Sequence, residues 1–222
     1  MRQKRRAEEK VGLPAGARLL PSTASRIGLV VAIVLVVGAP LVIEDDFWMT
    51  VLANAGAFAI AGIGLNILTG YAGQVSIGHA AFLTMGGYTV AYLGAEKGWP
   101  LPLWLAASAV VGGVIGALVG PFALRFKGNY LVVVTLALLF ITVWVVESWD
   151  SVTGGFDGAS TNGAPLSLGP IDFRELTLFG KEFTREQGMF YLTWVAVGLT
   201  ALVARNLMRG RPGRAMQAIR DR

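Results

Sequence analysis

The chain has 222 residues, of which 54% are hydrophobic and 15% are charged, whereas a soluble globular domain carries about 25% charged residues. A mean hydropathy of +0.59 excludes an ordinary soluble protein, and we assign the isoelectric point near 9.8 to membrane-flanking cations that contact anionic lipid, not to nucleic-acid binding. With no cysteine and one histidine, the sequence offers no disulfide framework and no cysteine-based or histidine-rich metal site, so no bound metal is expected.

Six apolar segments follow one another along the chain, and each reaches or approaches the roughly 20 residues that span a bilayer. They are residues 27–43, 48–68, 76–95, 101–124, 130–149 and 188–204. Buried helices of a soluble protein would show a polar face, and these segments show none. The sequence therefore predicts an all-α integral membrane protein with about six transmembrane helices in a lipid bilayer.

The charges sort by sign across these segments. If each segment crosses once and the N-terminus lies inside, the inside stretches hold 15 of the 19 lysines and arginines, and the outside stretches hold 11 of the 14 acidic residues. Lysine and arginine set the orientation, whereas acidic residues contribute little. We predict cytosolic N- and C-termini, with a basic tail at residues 1–26, a transmembrane domain at 27–204 that includes an outer loop at 150–187, and a cytosolic segment at 205–222.

Between the second and third segments lies a glycine-rich, polar and uncharged stretch. Such backbone at membrane depth is tolerated only where protein or a water-filled cavity surrounds it. Broken helices of this kind occur at transporter binding sites, where backbone N–H groups at a half-helix N-terminus can face an anionic group. We predict a broken segment that lines a translocation pathway, with these candidate residues: Gly70, Gly73, Gln74, Ser76, Gly78 and His79. Among them, Gln74 and Ser76 would add side-chain hydrogen bonds to a substrate.

Polar side chains inside the segments have more than one interpretation. Asn54 and Asn66 either form interhelical hydrogen bonds or contact substrate. His79 is the one ionisable residue in the middle of a segment, which makes it a functional candidate. It forms a structural hydrogen bond, lines the pathway or relays protons, although a relay needs acidic partners and no Asp or Glu lies in the middle of a segment.

Two further features concern packing and the outer loop. Gly112, Gly116 and Gly120 recur at a four-residue spacing, which predicts a face for close helix crossing. The acidic loop 150–187 acts either as a cap or docking surface at a pore mouth, or as a solvated connector.

Three stretches resemble successive blocks of one protein family. They read GQVSIGHAAF and then GGYT within residues 73–89, LRFKGNYL with a following TL within residues 124–136, and WDSVTGGFDG at residues 149–158. Together and in this order they resemble the branched-chain amino-acid ABC transporter permeases, with the LivM-type subunit as the nearest pattern. The resemblance covers residues 47–222.

The resemblance implies a membrane-spanning permease subunit of an ATP-driven importer for branched-chain or related amino acids, located in the bacterial inner membrane. It implies a second permease of the same family, two cytosolic ATPase subunits and an external substrate-binding protein as partners. ATP would be bound by the ATPases, and the sequence has no phosphate-binding loop of its own, so no cofactor is expected here. The alternatives are a urea or short-amide permease of the same family and a non-transporting truncated or assembly subunit.

The end of the chain is similar to the family's cytosolic coupling segment, a short helix that sits in a groove of the ATPase. The matching residues are Gly213, Arg214, Ala215, Ala218, Ile219 and Arg220. Family members continue past this segment with further spans. We therefore expect the chain to be a fragment or a truncated form, whose missing part would complete the pathway.

Two other function classes fit the residues poorly. An ion-driven secondary transporter would need Asp or Glu within its spans, and a membrane enzyme would need a cluster of His, Asp, Cys or Ser within reach of the membrane. No Asp or Glu lies in the middle of a segment and no such cluster occurs in the sequence, so we expect no catalytic residue and no enzymatic activity.

Overall fold

A computed structural model describes residues 23–123, 129–169, 171–174, 177–178 and 181–220. Its contacts divide the chain into two units, Met1–Glu44 and Asp45–Arg222. The first unit contains helix α1, Thr23–Val42, whose apolar side chains are largely exposed, as suits a helix that faces lipid. Most of the predicted basic tail, residues 1–22, lies outside the described residues.

The second unit is mainly helical. In chain order its helices are α2 (Asp46–Asn66), α3 (His79–Thr89), α4 (Leu101–Ala123), α5 (Asn129–Ser148), α6 (Asp150–Thr153), α7 (Arg185–Arg209) and α8 (Arg211–Arg220). Two of them continue directly as π-helical turns, α2 through Ile67–Tyr71 and α3 through Val90–Glu96. Such turns are rare and often occur at functional sites.

The segment between α6 and α7 contains short strands that the all-α prediction missed. After a 3₁₀ turn at Gly155–Asp157, β1 (Ser167–Leu168) pairs antiparallel with β2 (Ile171–Asp172), and β3 (Thr177–Leu178) pairs antiparallel with β4 (Lys181–Glu182). In the first pair Ser167 lies opposite Asp172, and in the second Thr177 lies opposite Glu182. Strands of two residues are too short to show an alternating pattern in the sequence.

Within the described residues, four helices are long and apolar enough to cross a membrane: Asp46–Tyr71, Leu101–Pro121, Tyr130–Ser148 and Arg185–Arg209. They correspond to four of the predicted segments, which confirms a mainly helical membrane architecture. The predicted segment 27–43 is a shorter apolar helix. The segment predicted from Ser76 becomes helical only at His79 and changes to a π-helical turn at Val90. The count of six spans and the orientation of the termini stay predictions.

Helices α2 and α7 begin at the same end of the bundle and pack side by side. The Asp45 side chain accepts a hydrogen bond from the Phe47 N–H at 2.9 Å and caps α2, whereas Thr184 and Gln187 form a capping box that starts α7. Thr184 Oγ1 also donates to Asp46 Oδ1 at 2.8 Å. The two helix N-termini are therefore joined by a side-chain hydrogen bond.

Small residues bring α2 and α7 close further along. A Cβ added at Gly56 would lie 2.9 Å from Thr193 Cγ2 and 3.4 Å from Trp194 Nε1. That indole nitrogen donates to the Leu52 carbonyl at 3.1 Å. In a lipid bilayer the hydrophobic effect does not drive helices together, so they associate by close packing at small residues such as this glycine.

The evenly spaced glycines of α4 make few contacts in the part of the chain that the structure describes. Among the described residues, a Cβ added at Gly112 or Gly120 would meet nothing within 4 Å, and one at Gly116 would meet only Phe82, at 3.9 Å. Among the described residues these glycines thus form no close crossing, and a close crossing with another helix stays a prediction. The four-residue spacing marks a face, but it does not determine which helix packs against that face.

A buried cluster lies where the segment between α6 and α7 meets α4. Leu101, Trp104 and Leu166 are 2%, 8% and 3% exposed. Trp104 Nε1 donates to the Pro165 carbonyl at 3.0 Å, and a Cβ at Gly94 would lie 3.2 Å from the same indole. This segment is thus packed against helix ends and is not merely a solvated connector. That it caps a pore mouth stays a prediction.

Candidate functional site

The glycine-rich stretch forms the break between α2 and α3. Residues 72–78 follow the π-helical turn Ile67–Tyr71 and are not helical. Gly73 has a φ of 66°, a conformation in which an L side chain would be strained. The Gln74 N–H donates to the Leu68 carbonyl at 3.1 Å, so the chain folds back onto the π-helical turn before α3 starts. We call residues 72–78 the break loop.

Thr135 of α5 holds the break loop in place. This residue is only 6% exposed. Its Oγ1 accepts a hydrogen bond from the Ile77 N–H at 3.2 Å and donates to the Val132 carbonyl at 3.1 Å. Gly78 lies directly against it, because an added Cβ would stand 3.1 Å from the Thr135 carbonyl oxygen. The end of the break loop is therefore seated on α5 before α3 begins.

His79 is the first residue of α3 and packs beside α2. A Cβ added at Gly64 would lie 3.7 Å from His79 Nε2. The other ring nitrogen, Nδ1, is buried and has no hydrogen-bond partner in the part of the chain that the structure describes. The predicted structural hydrogen bond is thus not found for Nδ1. Pathway lining and proton transfer stay predictions.

The remaining predicted pathway residues have different surroundings. The Gly78 N–H donates to Ser76 Oγ at 3.2 Å, so this N–H and that hydroxyl are paired with each other. The half-buried Gln74 side chain makes no hydrogen bond with any described residue, which leaves its amide available. Gly70 lies in the π-helical turn, where a Cβ would stand 2.9 Å from Asn66 Oδ1. The structure therefore places Gly73, Gln74, Ser76 and Gly78 in the break loop. Gly70 lies just before the loop, and His79 directly follows it as the first residue of α3.

The predicted coupling residues lie on α8, which follows α7 after Gly210. Gly213 is buried against the Met208 backbone, where any added Cβ would overlap the Met208 carbonyl. By contrast, Arg214, Ala215 and Ala218 are exposed. The side chains of Ile219 and Arg220 lie outside the described residues.

Helix α8 also contacts the π-helical turn Ile67–Tyr71 that leads into the break loop. The predicted coupling segment and the predicted pathway are therefore adjacent in space, although Tyr71 and Arg211 are far apart in sequence. No residue pattern in either stretch indicated this contact.

Sequence reasoning also missed the structure of the turn after α6. The Thr153 hydroxyl lies within hydrogen-bond distance of the Val146 and Trp149 carbonyls and accepts from the Gly155 N–H at 3.2 Å. Gly154, Gly155 and Gly158 all have positive φ, at 76°, 58° and 71°. Three glycines so close together were the available signal for a tight turn. We call residues 154–161 the outer turn.

Comparison with known proteins identifies the family. Residues 47–222 match the family described as branched-chain amino acid transport system / permease component. The high-affinity branched-chain amino acid transport system permease protein LivM of Salmonella typhimurium is 30% identical over 177 residues, a match that covers 74% of this chain and 41% of that protein. The protein of the same name from Escherichia coli is 28% identical over 206 residues, covering 87% of this chain and 48% of the relative.

The matched region therefore spans less than half the length of either relative. No solved structure matches the chain. The three motif blocks, the apolar helices and the family match agree with one another. This chain belongs to the permease components of branched-chain amino acid transport systems, a family of transporter subunits, and is a multi-pass membrane protein of the LivM type.

Proposed function

We propose that this chain is the permease subunit of an ATP-driven importer for branched-chain or related amino acids. The observation that carries the proposal is the family match over residues 47–222. The names of both LivM relatives supply the substrate class. We place the chain in the bacterial inner membrane, and the clustering of 15 of the 19 basic residues on one predicted side supports an orientation with the N-terminus inside.

The break loop is the proposed part of the translocation pathway that this chain contributes. It is polar, uncharged backbone between two apolar helices, and Thr135 anchors it to a third helix. The free amide of Gln74 can both donate to a carboxylate and accept from an ammonium group. A substrate passing the loop would therefore meet one side chain that suits both ends of an amino acid.

Helix α8 is the proposed contact with a cytosolic ATPase. Its exposed residues Arg214, Ala215 and Ala218 combine polar anchors with small side chains that permit close seating. ATP binding and hydrolysis belong to the partner ATPases. Closure of the ATPases on ATP would be passed to this chain as a rigid-body movement. The contact between α8 and the π-helical turn offers a direct path for that movement to the break loop.

Substrate uptake in cells tests the proposal. The chain is expressed with a second permease, two ATPases and a binding protein in a strain without its own branched-chain uptake, and radiolabelled leucine and urea are measured separately. We expect leucine uptake that requires ATPase activity, and we expect Gln74→Ala to reduce it. Ser108→Ala on α4, whose hydroxyl donates only to the Trp104 carbonyl at 2.9 Å, serves as the control.

Each contrary result points to a different error. Uptake of urea without leucine would replace the substrate class with the short-amide alternative. Normal leucine uptake by Gln74→Ala would remove the side-chain role of the loop while leaving the permease function intact. Assembly with the ATPases but no uptake of either compound would favour a non-transporting subunit.

A further inference from the structure

A cavity of about 550 Å³ lies between α3, α5 and the outer turn. Ligand sites in proteins commonly have volumes of about 300–1,000 Å³. On α3 the cavity is lined by Leu83 and Tyr88, and on α5 by Val143, Val146 and Glu147. The α5 positions lie three and four residues apart and so share one helix face. The space therefore has two helical walls, and it admits one small molecule.

The third wall is the outer turn. The Thr153 hydroxyl accepts a hydrogen bond from the Gly155 N–H, and Gly155 and Gly158 adopt positive φ, which together define the shape of this turn. It presents Phe156 to the cavity, and that side chain is 86% exposed. A large exposed aromatic group beside a cavity suits contact with the apolar part of a ligand.

Glu147 is the one charged residue among the described residues that line the cavity. Its carboxylate makes no hydrogen bond or ion pair with any residue that the structure describes. A carboxylate beside apolar walls pairs well with an ammonium group, because such charge-assisted hydrogen bonds are among the stronger ones in proteins. Tyr88 also lines the cavity, and its hydroxyl, 3.9 Å from where a Cβ on the lining residue Gly158 would stand, can donate to a carboxylate.

We propose that this cavity is a binding site for an aliphatic α-amino acid before it reaches the break loop. Glu147 would bind its ammonium group and Tyr88 its carboxylate. Leu83, Val143 and Phe156 would surround its side chain. The assignment rests on the proposed function for the substrate class, but the site itself is distinct from the break loop.

The cavity and the break loop lie along the same pair of helices. Thr135 anchors the loop on α5, and Val143 lies eight residues further along the same helix, which is about 12 Å at 1.5 Å per residue. Similarly, His79 begins α3 and Leu83 follows one turn later. The cavity and the break loop therefore lie within reach of each other along the same two helices.

Substrate protection of an introduced thiol tests the site directly. These 222 residues contain no cysteine, so Val143→Cys supplies their only thiol. In membranes that hold the assembled importer, we expect leucine to slow its reaction with a small methanethiosulfonate reagent. Val133→Cys, on the same helix, 64% exposed and outside the cavity lining, is the matched control and should react at an unchanged rate.

Glu147→Gln then tests the assigned chemistry. Added to Val143→Cys, it should raise the leucine concentration that gives half-protection about tenfold, or ~1.4 kcal/mol. Isopentylamine, which keeps the ammonium group, should lose protection in the same way, whereas 4-methylpentanoate, which lacks it, should be unaffected by the change. Glu186→Gln, an acidic residue outside the cavity lining, should leave protection unchanged.

The results separate failure of the site from failure of the proposed function. Leucine uptake by the importer without protection of Val143→Cys would overturn the cavity as a substrate site and leave the permease function standing. Protection that Glu147→Gln does not weaken would overturn the role of that carboxylate. Absence of both leucine uptake and leucine protection would instead contradict the proposed substrate class.

Discussion

At the scale of single residues, glycines and one threonine determine where the break loop lies. Thr135 is nearly buried, and its hydroxyl both accepts from the Ile77 N–H and donates to the Val132 carbonyl. The hydroxyl thereby satisfies the Ile77 N–H. An unpaired polar group in an apolar environment would cost several kcal/mol. Gly78 permits the close contact because it has no side chain.

A side chain at position 78 should therefore destabilise the protein. The Cβ of Gly78→Ala would stand 3.1 Å from the Thr135 carbonyl oxygen and 3.2 Å from its Cβ, so the neighbours must shift slightly. Gly78→Val adds further methyl groups and should cost about 1–3 kcal/mol of stability by overpacking. Thermal unfolding of the purified protein in detergent measures both effects.

Gly86→Ala is the control for this prediction. Gly86 lies in α3, the helix that follows Gly78, and an added Cβ would meet no described atom within 4 Å. Alanine favours a helix over glycine by about 1 kcal/mol, so this variant should be as stable as the parent or more stable. Equal melting temperatures for Gly78→Val and Gly86→Ala would contradict the packing at Thr135.

At the scale of elements, α8 lies between the end of α7 and the π-helical turn that precedes the break loop. The angle between α7 and α8 depends on Gly213, which is buried against the Met208 backbone. Backbone packed this closely leaves no room for a methyl group without movement of the helix. The position of α8 is thus set by the contact between Gly213 and Met208 at the junction of α7 and α8, which we call the α7–α8 elbow.

Gly213→Ala should displace α8 and uncouple transport from ATP hydrolysis. We expect leucine uptake to fall strongly while α2 and α7, whose contacts lie elsewhere, keep the protein folded. Uptake and thermal stability are measured together, with Gly198→Ala on α7 as control, because an added Cβ there would meet no described atom within 4 Å. Parent-level uptake by Gly213→Ala would show that this elbow is not needed for coupling.

At the scale of the whole molecule, the charge distribution and the fold make one joint prediction about topology. The packed segment between α6 and α7 contains Ser160, and the opposite predicted side contains α8 with Ala218. Both side chains are exposed. The excess of lysine and arginine around α8 assigns that side to the cytosol.

Single cysteines measure this topology without a background signal, since the chain has none of its own. In intact cells a membrane-impermeant maleimide should label Ser160→Cys and not Ala218→Cys. After the membrane is permeabilised, both variants should be labelled. Labelling of Ala218→Cys in intact cells would reverse the predicted orientation, and labelling of both would contradict the predicted number of crossings between them.

Several properties follow from the sequence alone, because they depend on composition or on neighbouring residues. The apolar segments indicate a membrane protein, since each has about the length and apolar composition that a helix needs to span a bilayer. Gly73 and its polar neighbours place the break loop, because glycine and uncharged polar groups at membrane depth disfavour a continuous lipid-facing helix. The three motif blocks identify the family that the comparisons confirm.

Only the tertiary structure decided which parts meet. The anchor at Thr135 lies 58 residues from Ile77, and the α4 glycines that looked suited to close packing contact little, whereas Gly56 and Gly78 are tightly packed. The π-helical turns, the α8 contact and the cavity beside Glu147 also had no sequence signal. The α8 contact and the cavity depend on residues that are distant in the chain. Apolar segments of similar composition do not determine which helices become neighbours until the chain folds.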